Sequence, residues 1–334
     1  MEARFTKIDQ LDLFLNRFND DKMALVIDEN VHQHHGAQFK SYKQFIVPSG
    51  EEHKNIKTLE KMISFLMEQG LDRHSTILGV GGGVVCDLTG FVASIYLRGI
   101  SFGFLPTTLL AMCDAAIGGK NGVNFRGNKN IIGIIRQADF IGNHFPFLKT
   151  LPDKEYINGM AEVIKHALLD STSFMRFLEE NHENIISKDS IVLEEMVLRS
   201  QSIKEGIVNK DLYEKKERKK LNLGHTIGHA IEAYTGMAHG QSISIGTVLA
   251  AKISHRMGIC NESFVEEVEK LFRLFGLPTN AKMDYTKLIG HVKFDKKRND
   301  QKVDFVVPIK PGHVDIIPVS FDDLMDHIKT ITNG

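Results

Sequence analysis

The chain has no tryptophan, only three cysteines and only eight prolines in 334 residues. Three cysteines (Cys86, Cys113 and Cys260) are too few, and odd in number, for a disulfide framework. That usage fits a reducing cytoplasm. Charge of one sign is also lacking, since 41 Lys and Arg face 42 Asp and Glu, for a formal net charge of −1. A nucleic-acid or anionic-membrane binder normally carries a basic excess, so neither partner is expected. No run approaches the ~18 apolar residues of a membrane span. The opening residues Met1-Glu-Ala-Arg-Phe-Thr-Lys-Ile-Asp9 hold no apolar core segment, so no secretory signal is expected. Internal repeats and low-complexity tracts are missing as well.

What remains is an ordinary globular composition, 42% apolar and 25% charged, with 28 glycines and 21 phenylalanines. At roughly 150 residues per domain, the length implies about two domains, each able to bury a core. Met23-Ala-Leu-Val-Ile-Asp28 is a short apolar run ending in an acid, the pattern of a buried parallel strand. Asn55 to Gln69 has helical spacing, Ser75 to Val80 is strand-like, Val84 to Ser94 is helical, and Ser101 to Leu105 is again a strand. Alternation of this kind predicts a Rossmann-like α/β domain with a mostly parallel sheet over residues 1–151. From residue 152 to 334 the pattern is mainly α-helical. Helices are predicted over 155–169, 174–184, 191–209, 226–234, 243–256 and 263–274, and Val303 to Val307 reads as a strand or hairpin.

Three features carry chemistry. Gly79-Val-Gly-Gly-Gly83 joins a strand to a helix, where glycines let backbone amides approach a pyrophosphate; a plain tight turn reads the same way. In Asn222-Leu-Gly-His-Thr-Ile-Gly-His229, two histidines lie four apart, and His239 follows after a loop. On a helix His225 and His229 share a face. Spacing alone therefore points to both as metal ligands, although histidines of this kind also cap helices or satisfy core hydrogen bonds. Glu162, an acid in the apolar run Gly159-Met-Ala-Glu-Val-Ile-Lys165, is a candidate for a further ligand. Asp114 and Lys120 stand in apolar, glycine-rich surroundings, where polar groups are either paired or functional. Together with Arg98, Lys129, Lys165, Lys204 and Arg218 they offer cations suited to a phosphorylated, carboxylate-bearing small molecule. Lys215-Lys-Glu-Arg-Lys-Lys220 otherwise reads as a solvated face or loop.

Taken in order, several runs resemble the 3-dehydroquinate synthase family. They are Gly81-Gly-Gly-Val-Val-Cys-Asp-Leu-Thr-Gly90, Arg98-Gly99, Pro106-Thr-Thr-Leu-Leu110, Gly118-Gly-Lys120, Lys129-Asn130, Phe147-Leu-Lys-Thr-Leu-Pro152, Gly159 to Lys165, Asn222 to Glu232, His239-Gly240 and Asp295-Lys-Lys297. The resemblance implies an NAD-binding N-terminal domain, a helical metal domain and an active site between them. It implies a carbon-oxygen lyase that turns 3-deoxy-D-arabino-heptulosonate 7-phosphate into 3-dehydroquinate and phosphate, a step toward aromatic amino acids. The implied metal is Zn2+ or Co2+, held by Glu162, His225 and His239, which leaves His229 facing substrate. Substrate contacts would come from Arg98, Asp114, Lys120, Asn130, Lys165, Lys204, Arg218, Asn222, His229 and Lys296 or Lys297. NAD contacts would come from Glu51, Lys54, Gly82, Gly83, Asp87, Thr107, Thr108, Asp114, Lys120, Lys129, Phe147 and Thr150. A homodimer is implied, with Arg98 supplied by the partner subunit.

The chain departs from the family pattern at Ala115 and Ala116, at Asn121, at Leu212 and at Gln241. These bear on substrate choice more than on fold. The competing readings are a related cyclase of the 2-deoxy-scyllo-inosose synthase or 2-epi-5-epi-valiolone synthase type, and a metal-dependent alcohol dehydrogenase of the glycerol dehydrogenase type.

Overall fold

The computed structural model describes residues 4–283 and 302–333. The chain divides into two compact units, Met1–Tyr156 and Ile157–Gly334.

The first unit carries β1 (Arg4–Lys7), α1 (Leu11–Leu15), β2 (Met23–Asp28), α2 (Glu29–His35), β3 (Lys43–Val47), α3 (Ile56–Glu68), β4 (Thr76–Gly81), α4 (Gly83–Ile95), β5 (Ser101–Pro106), β6 (Lys120–Phe125), β7 (Asn128–Ile135), β8 (Phe140–Asn143) and α5 (Phe147–Thr150). Six strands form one sheet in the order β1-β8-β5-β4-β2-β3, and every described pairing in it is parallel. β2 is buried on both faces, which is why it reads as a continuous apolar run. Ala24 and Val26 pack into one core with α3 and α4, while Met23, Leu25 and Ile27 pack into another with Leu11, Phe14 and Phe39. From β2 the chain moves outward to β3, then crosses back to β4 on the other side of β2. The strand order therefore reverses between β2 and β4. In an open parallel sheet, the crevice at the carboxyl ends of such a strand pair is where ligands bind. Asp28 and the Gly81-Gly-Gly83 turn stand at those two ends.

The second unit begins within α6 (Asp153–Asp170) and continues through α7 (Thr172–Glu180), α8 (His182–Ile186), α9 (Ser190–Lys210), a 3-10 turn over Glu217–Asn222, α10 (His225–Thr235), α11 (His239–Arg256) and α12 (Glu262–Leu274). A hairpin of β9 (Lys302–Lys310) and β10 (His313–Ser320) follows, then α13 (Phe321–Asn333). α11 packs against α10, α12, β9 and α13 and is buried nearly all round, so it is the central helix of the unit. It starts at His239, four residues before its apolar periodicity begins, because Gln241 and its polar neighbours mask the first turn. The helical run over 174–184 is broken at Asn181, whose φ of −109° and ψ of 15° lie outside the helix. The strands β1, β3, β6 and β7 lie outside the predicted set: β1 and β3 are short edge strands, and β7 is rich in isoleucine yet mostly exposed.

Glycines set the distance between α10 and α11. Gly224, at the N-terminus of α10 with φ of 78°, would place a Cβ 2.2 Å from Thr247 Oγ1. A Cβ on Gly246 would lie 2.2 Å from the Gly224 carbonyl oxygen. Gly246→Ala is therefore expected to push the two helices apart and cost about 1–3 kcal/mol, as overpacking does. Thermal unfolding should show a clearly lowered midpoint, with metal affinity falling in parallel.

Candidate active site

The second unit brings Glu162, His225 and His239 together, with one ligand atom of each lying within 4.8 Å of the others. Glu162 lies inside α6 and is fully buried. His225 and His239 are the first residues of α10 and α11. Glu162 Oε1 is 3.5 Å from His225 Nε2 and 3.3 Å from His239 Nε2. The edge of a tetrahedron is about 1.6 times its bond length, so zinc bonds of ~2.1 Å require donors about 3.4 Å apart. The two distances from Glu162 Oε1 meet that requirement, and the N, N, O chemistry of the set suits zinc or cobalt. Three protein ligands also leave a coordination position for a substrate oxygen.

The surroundings fix which atoms face the centre. His225 Nδ1 lies 3.1 Å from the Leu223 carbonyl oxygen, so it carries the hydrogen and leaves the Nε2 lone pair toward Glu162. His239 Nδ1 lies 3.1 Å from Glu232 Oε2, a carboxylate–histidine pair that does the same. Burial pushes the His225 imidazole pKa well down, and the Lys165 ammonium adds to this. A neutral ring is the form that binds a metal. For His239, burial opposes the charge, but the hydrogen bonds its ring N–H groups donate to the Glu162 and Glu232 carboxylates outweigh it and lift the pKa to about 9. Lys165 pairs with the other Glu162 oxygen, and both groups are buried.

A cavity of about 460 Å3 opens beside this centre, lined by Tyr213, Glu214, Asn222, His225, Thr226 and His229 together with the Lys219–Asp304 ion pair. Asn222 Nδ2 donates to Glu214 Oε1 at 2.5 Å, which sets the side chain on the cavity wall. His229 is exposed on α10, and its ring centroid lies 5.0 Å from that of His225. The basic run folds differently from a solvated face. Asp211 accepts backbone hydrogen bonds from Lys215, Lys216 and Arg218 at 2.9, 2.6 and 3.1 Å. Those bonds hold the Asp211 carboxyl below its ordinary pKa. The resulting loop leaves Lys215 and Lys216 in solvent but buries Arg218, whose Nη1 donates to the Leu212 carbonyl. Lys204 is buried on α9. Lys296 and Lys297 lie outside the described residues.

In the first unit, Gly82 caps α4 without any side chain, so the helix N-terminus offers its amides to an anion. The Thr107 amide donates to the Gly81 carbonyl at 2.9 Å, which sets Thr107 and Thr108 beside the turn. A Cβ on Gly82 would lie 3.1 Å from Thr108 Cγ2. Lys54 is buried and bridges Glu51 at 2.8 Å and Asp87 at 3.1 Å. Burial disfavours its charge, but the two carboxylates prevail and raise its pKa. Asp114 is half-buried in a π-helical turn, Ala111–Ala115. Lys120, Lys129 and Asn130 are exposed on the β6–β7 hairpin. Phe147 is buried and Thr150 exposed on α5, where His35 Nε2 and Thr150 Oγ1 are 2.7 Å apart. Arg98 is exposed in a turn where both Leu97 and Arg98 have positive φ, 49° and 68°. Asn121 is buried and donates to the Gly119 and Arg136 carbonyls, each at 2.8 Å. Its departure from the family pattern is thus a structural one.

Three residues of the site escaped sequence reasoning. Glu232, three residues beyond His229, had a signal in its helical spacing from that histidine. Asp28 had one as the acid ending a buried strand; its carboxylate accepts from the Asn30 amide and from Ser49 Oγ at the end of β2. Asn124 had none: its Nδ2 donates to Glu51 Oε1 at 2.9 Å and its Oδ1 accepts from the Asn130 amide at 2.8 Å, contacts made only by folding.

Comparison with known proteins bears on both units. A family model described as 3-dehydroquinate synthase N-terminal matches residues 44–158, and one described as 3-dehydroquinate synthase C-terminal matches residues 159–298. The 3-dehydroquinate synthase of Acetivibrio thermocellus is 38% identical over 319 residues, spanning 92% of this chain and 89% of its own. Among solved structures, 2-epi-5-epi-valiolone synthase from Streptomyces hygroscopicus subsp. jinggangensis, with NAD+ and Zn2+ bound, superposes with a TM-score of 0.89 at 24% identity. That alignment covers 100% of this chain and 97% of the other, and at this identity it shows the fold. A 2-deoxy-scyllo-inosose synthase complexed with carbaglucose-6-phosphate, NAD+ and Co2+ has a TM-score of 0.87 at 25% identity, covering 98% of this chain and 96% of its own.

Removing the carboxylate behind a ligand histidine typically weakens metal binding about 10–100-fold. Glu232→Gln is expected to show that loss when metal-free protein competes with a chromophoric chelator for zinc. An unchanged dissociation constant would mean that Glu232 does not orient His239.

Proposed function

The chain belongs to the 3-dehydroquinate synthase family, and from that membership we propose how its own residues serve the reaction. The substrate is 3-deoxy-D-arabino-heptulosonate 7-phosphate and the products are 3-dehydroquinate and phosphate. The route is transient oxidation at C5, phosphate elimination, reduction and intramolecular aldol closure. The observation that carries the metal part of this reading is the Glu162, His225 and His239 set, in which the buried Glu162 Oε1 lies at tetrahedral spacing from both ring nitrogens.

When bound, NAD supplies a hydride acceptor that is restored within each turnover, and the divalent metal supplies a Lewis acid for the hydroxyl being oxidised. Glu162, His225 and His239 would hold the metal. Lys165 keeps one Glu162 oxygen neutralised, so the other is directed at the ion. Arg218 is anchored through Nη1 to the Leu212 carbonyl, and its planar guanidinium matches the substrate carboxylate. Lys204 adds positive charge for the same group. Asn222, fixed by Glu214, orients a hydroxyl on the cavity wall. His229, exposed at that wall, can take up or return a substrate proton at a ring nitrogen. The proton acceptor in elimination can equally be the departing phosphate.

In the nucleotide half, the Gly81-Gly-Gly83 turn and the open N-terminus of α4 suit the pyrophosphate. Lys54, tied to Glu51 and Asp87, fixes the polar rim of that crevice, and Thr107, Thr108, Lys129, Phe147 and Thr150 complete the nucleotide contacts. Asp114, Lys120 and Asn130 serve the phosphate and hydroxyl end of the substrate. Arg98 sits exposed on a left-handed turn, which fits a contact made across a homodimer. The three cysteines are free and buried, in keeping with a reducing cytoplasm.

Protein supplied with NAD and zinc should release inorganic phosphate from this substrate without accumulating NADH. Sustained NADH formation would instead mark an alcohol dehydrogenase, and faster phosphate release from glucose 6-phosphate or sedoheptulose 7-phosphate would mark a related cyclase. His225→Ala should lose the metal. His229→Ala should keep it and lose turnover, by roughly the 10²–10⁴-fold of a missing proton-transfer group. A metal-free His229→Ala protein would reassign His229 as a ligand.

A further inference from the structure

His239 presents both ring nitrogens to carboxylates. Nε2 lies 3.3 Å from Glu162 Oε1, and Nδ1 lies 3.1 Å from Glu232 Oε2. His229 stands one turn before Glu232 on the same face of α10, its ring centroid 6.0 Å from that of His239. Ligand atoms of His229, Glu232 and His239 all lie within 4.8 Å of one another, the limit that the inner set also meets. The composition repeats as well: two imidazoles and one carboxylate, a donor set for a borderline cation such as Zn2+ or Co2+ rather than Mg2+. The two sets differ in access. The inner one is built on a fully buried carboxylate, whereas the outer one opens at the exposed His229.

A neutral imidazole has one lone pair, so His239 can serve only one set at a time. With the hydrogen on Nδ1, that N–H donates to Glu232 and Nε2 faces the inner set. With the hydrogen on Nε2, that N–H donates to Glu162 and Nδ1 joins His229 and Glu232. Either arrangement leaves the carboxylate behind the ring hydrogen-bonded, so neither is penalised by a buried, unpaired acceptor.

We propose that His229, Glu232 and His239 form a second divalent-cation site, an outer station that captures the ion from solvent before it passes to Glu162, His225 and His239. In the transfer the metal–Nδ1 bond breaks and a metal–Nε2 bond forms. Capture releases the Nδ1 hydrogen of the ring to solvent; in the transfer the Nε2 hydrogen leaves and Nδ1 takes one up from solvent, so charge and atoms balance. The inference rests on reading the inner set as the resident metal site.

Metal-free protein titrated with Co2+ tests it, with bound metal measured by equilibrium dialysis and coordination followed by the visible spectrum. His225→Ala disables the inner set and should still bind one ion, more weakly than wild type. The double variant His225→Ala/His229→Gln should bind none. Alone, His229→Gln should leave the equilibrium affinity near that of wild type but slow stopped-flow loading by about tenfold or more, the scale on which a capture site raises an association rate. Should His225→Ala fail to fold by circular dichroism, His225→Gln takes its place. Loss of all binding in the His225 variant overturns the outer site while wild type still binds its ion. Residual binding that His229→Gln does not abolish overturns it too. Wild-type protein that takes up no ion overturns the inner assignment and the outer site with it.

Discussion

A carboxylate with no access to water organises the second unit. Glu162 sits on the inner face of α6, fully buried, and a lone charge there would cost several kcal/mol. It is tolerable only because its two oxygens have different company. One meets the Lys165 ammonium from the same helix, and the other faces two imidazole nitrogens from α10 and α11. Once this carboxylate is fixed, the positions of His225 and His239 follow, since each must bring Nε2 to the same oxygen.

Bringing two helix starts to one atom demands close packing, and small residues supply it. The Gly246 backbone passes so near the Gly224 carbonyl that no side chain fits between them. The Gly240 amide donates to Asn158 Oδ1 at 2.5 Å, which ties the first turn of α11 to α6, the helix that carries Glu162. The metal geometry is therefore a property of helix packing. The Leu223 carbonyl converts that packing into a defined tautomer for His225, while His239 has a carboxylate at each ring nitrogen. His239 stands between two carboxylates, the buried one of Glu162 and that of Glu232.

The nucleotide half obeys a different constraint. Its sheet is covered on both faces, and its polar chemistry is confined to the carboxyl ends of the strands, where backbone amides are not used up by pairing. The reversal of strand order between β2 and β4 opens a crevice at those ends. Glycines at the end of β4 and an acid at the end of β2 are what a dinucleotide needs there. Lys54, held between Glu51 and Asp87, and Asn124, held between Glu51 and the Asn130 amide, extend this polar rim onto the β6–β7 hairpin.

Much of this was legible in the sequence, and the reason is local. Burial on both faces makes β2 and β4 continuous apolar runs, and amphipathic spacing marks α3, α7 and α12, so the α/β half and the helical half could be told apart without coordinates. The family motifs named Glu162, His225 and His239 as a set, because motif order survives in the chain. Other features depend on residues far apart in sequence. Spacing favours His225 with His229, four residues apart on one helix face; only the folded chain brings His225 and His239 to the same oxygen of Glu162, which lies 77 positions before His239. Arg218 looked like one cation in a solvated run, and it is buried because Asp211 folds that loop back on itself. The edge strands β1 and β3 are short, and β7 faces mostly water, so neither kind carries a core-facing period. The sequence by itself determined which chemistry the chain can hold. Which atoms face the centre, and in which tautomer, was decided by tertiary structure, because a donor's direction is set by neighbours that meet only when the helices pack.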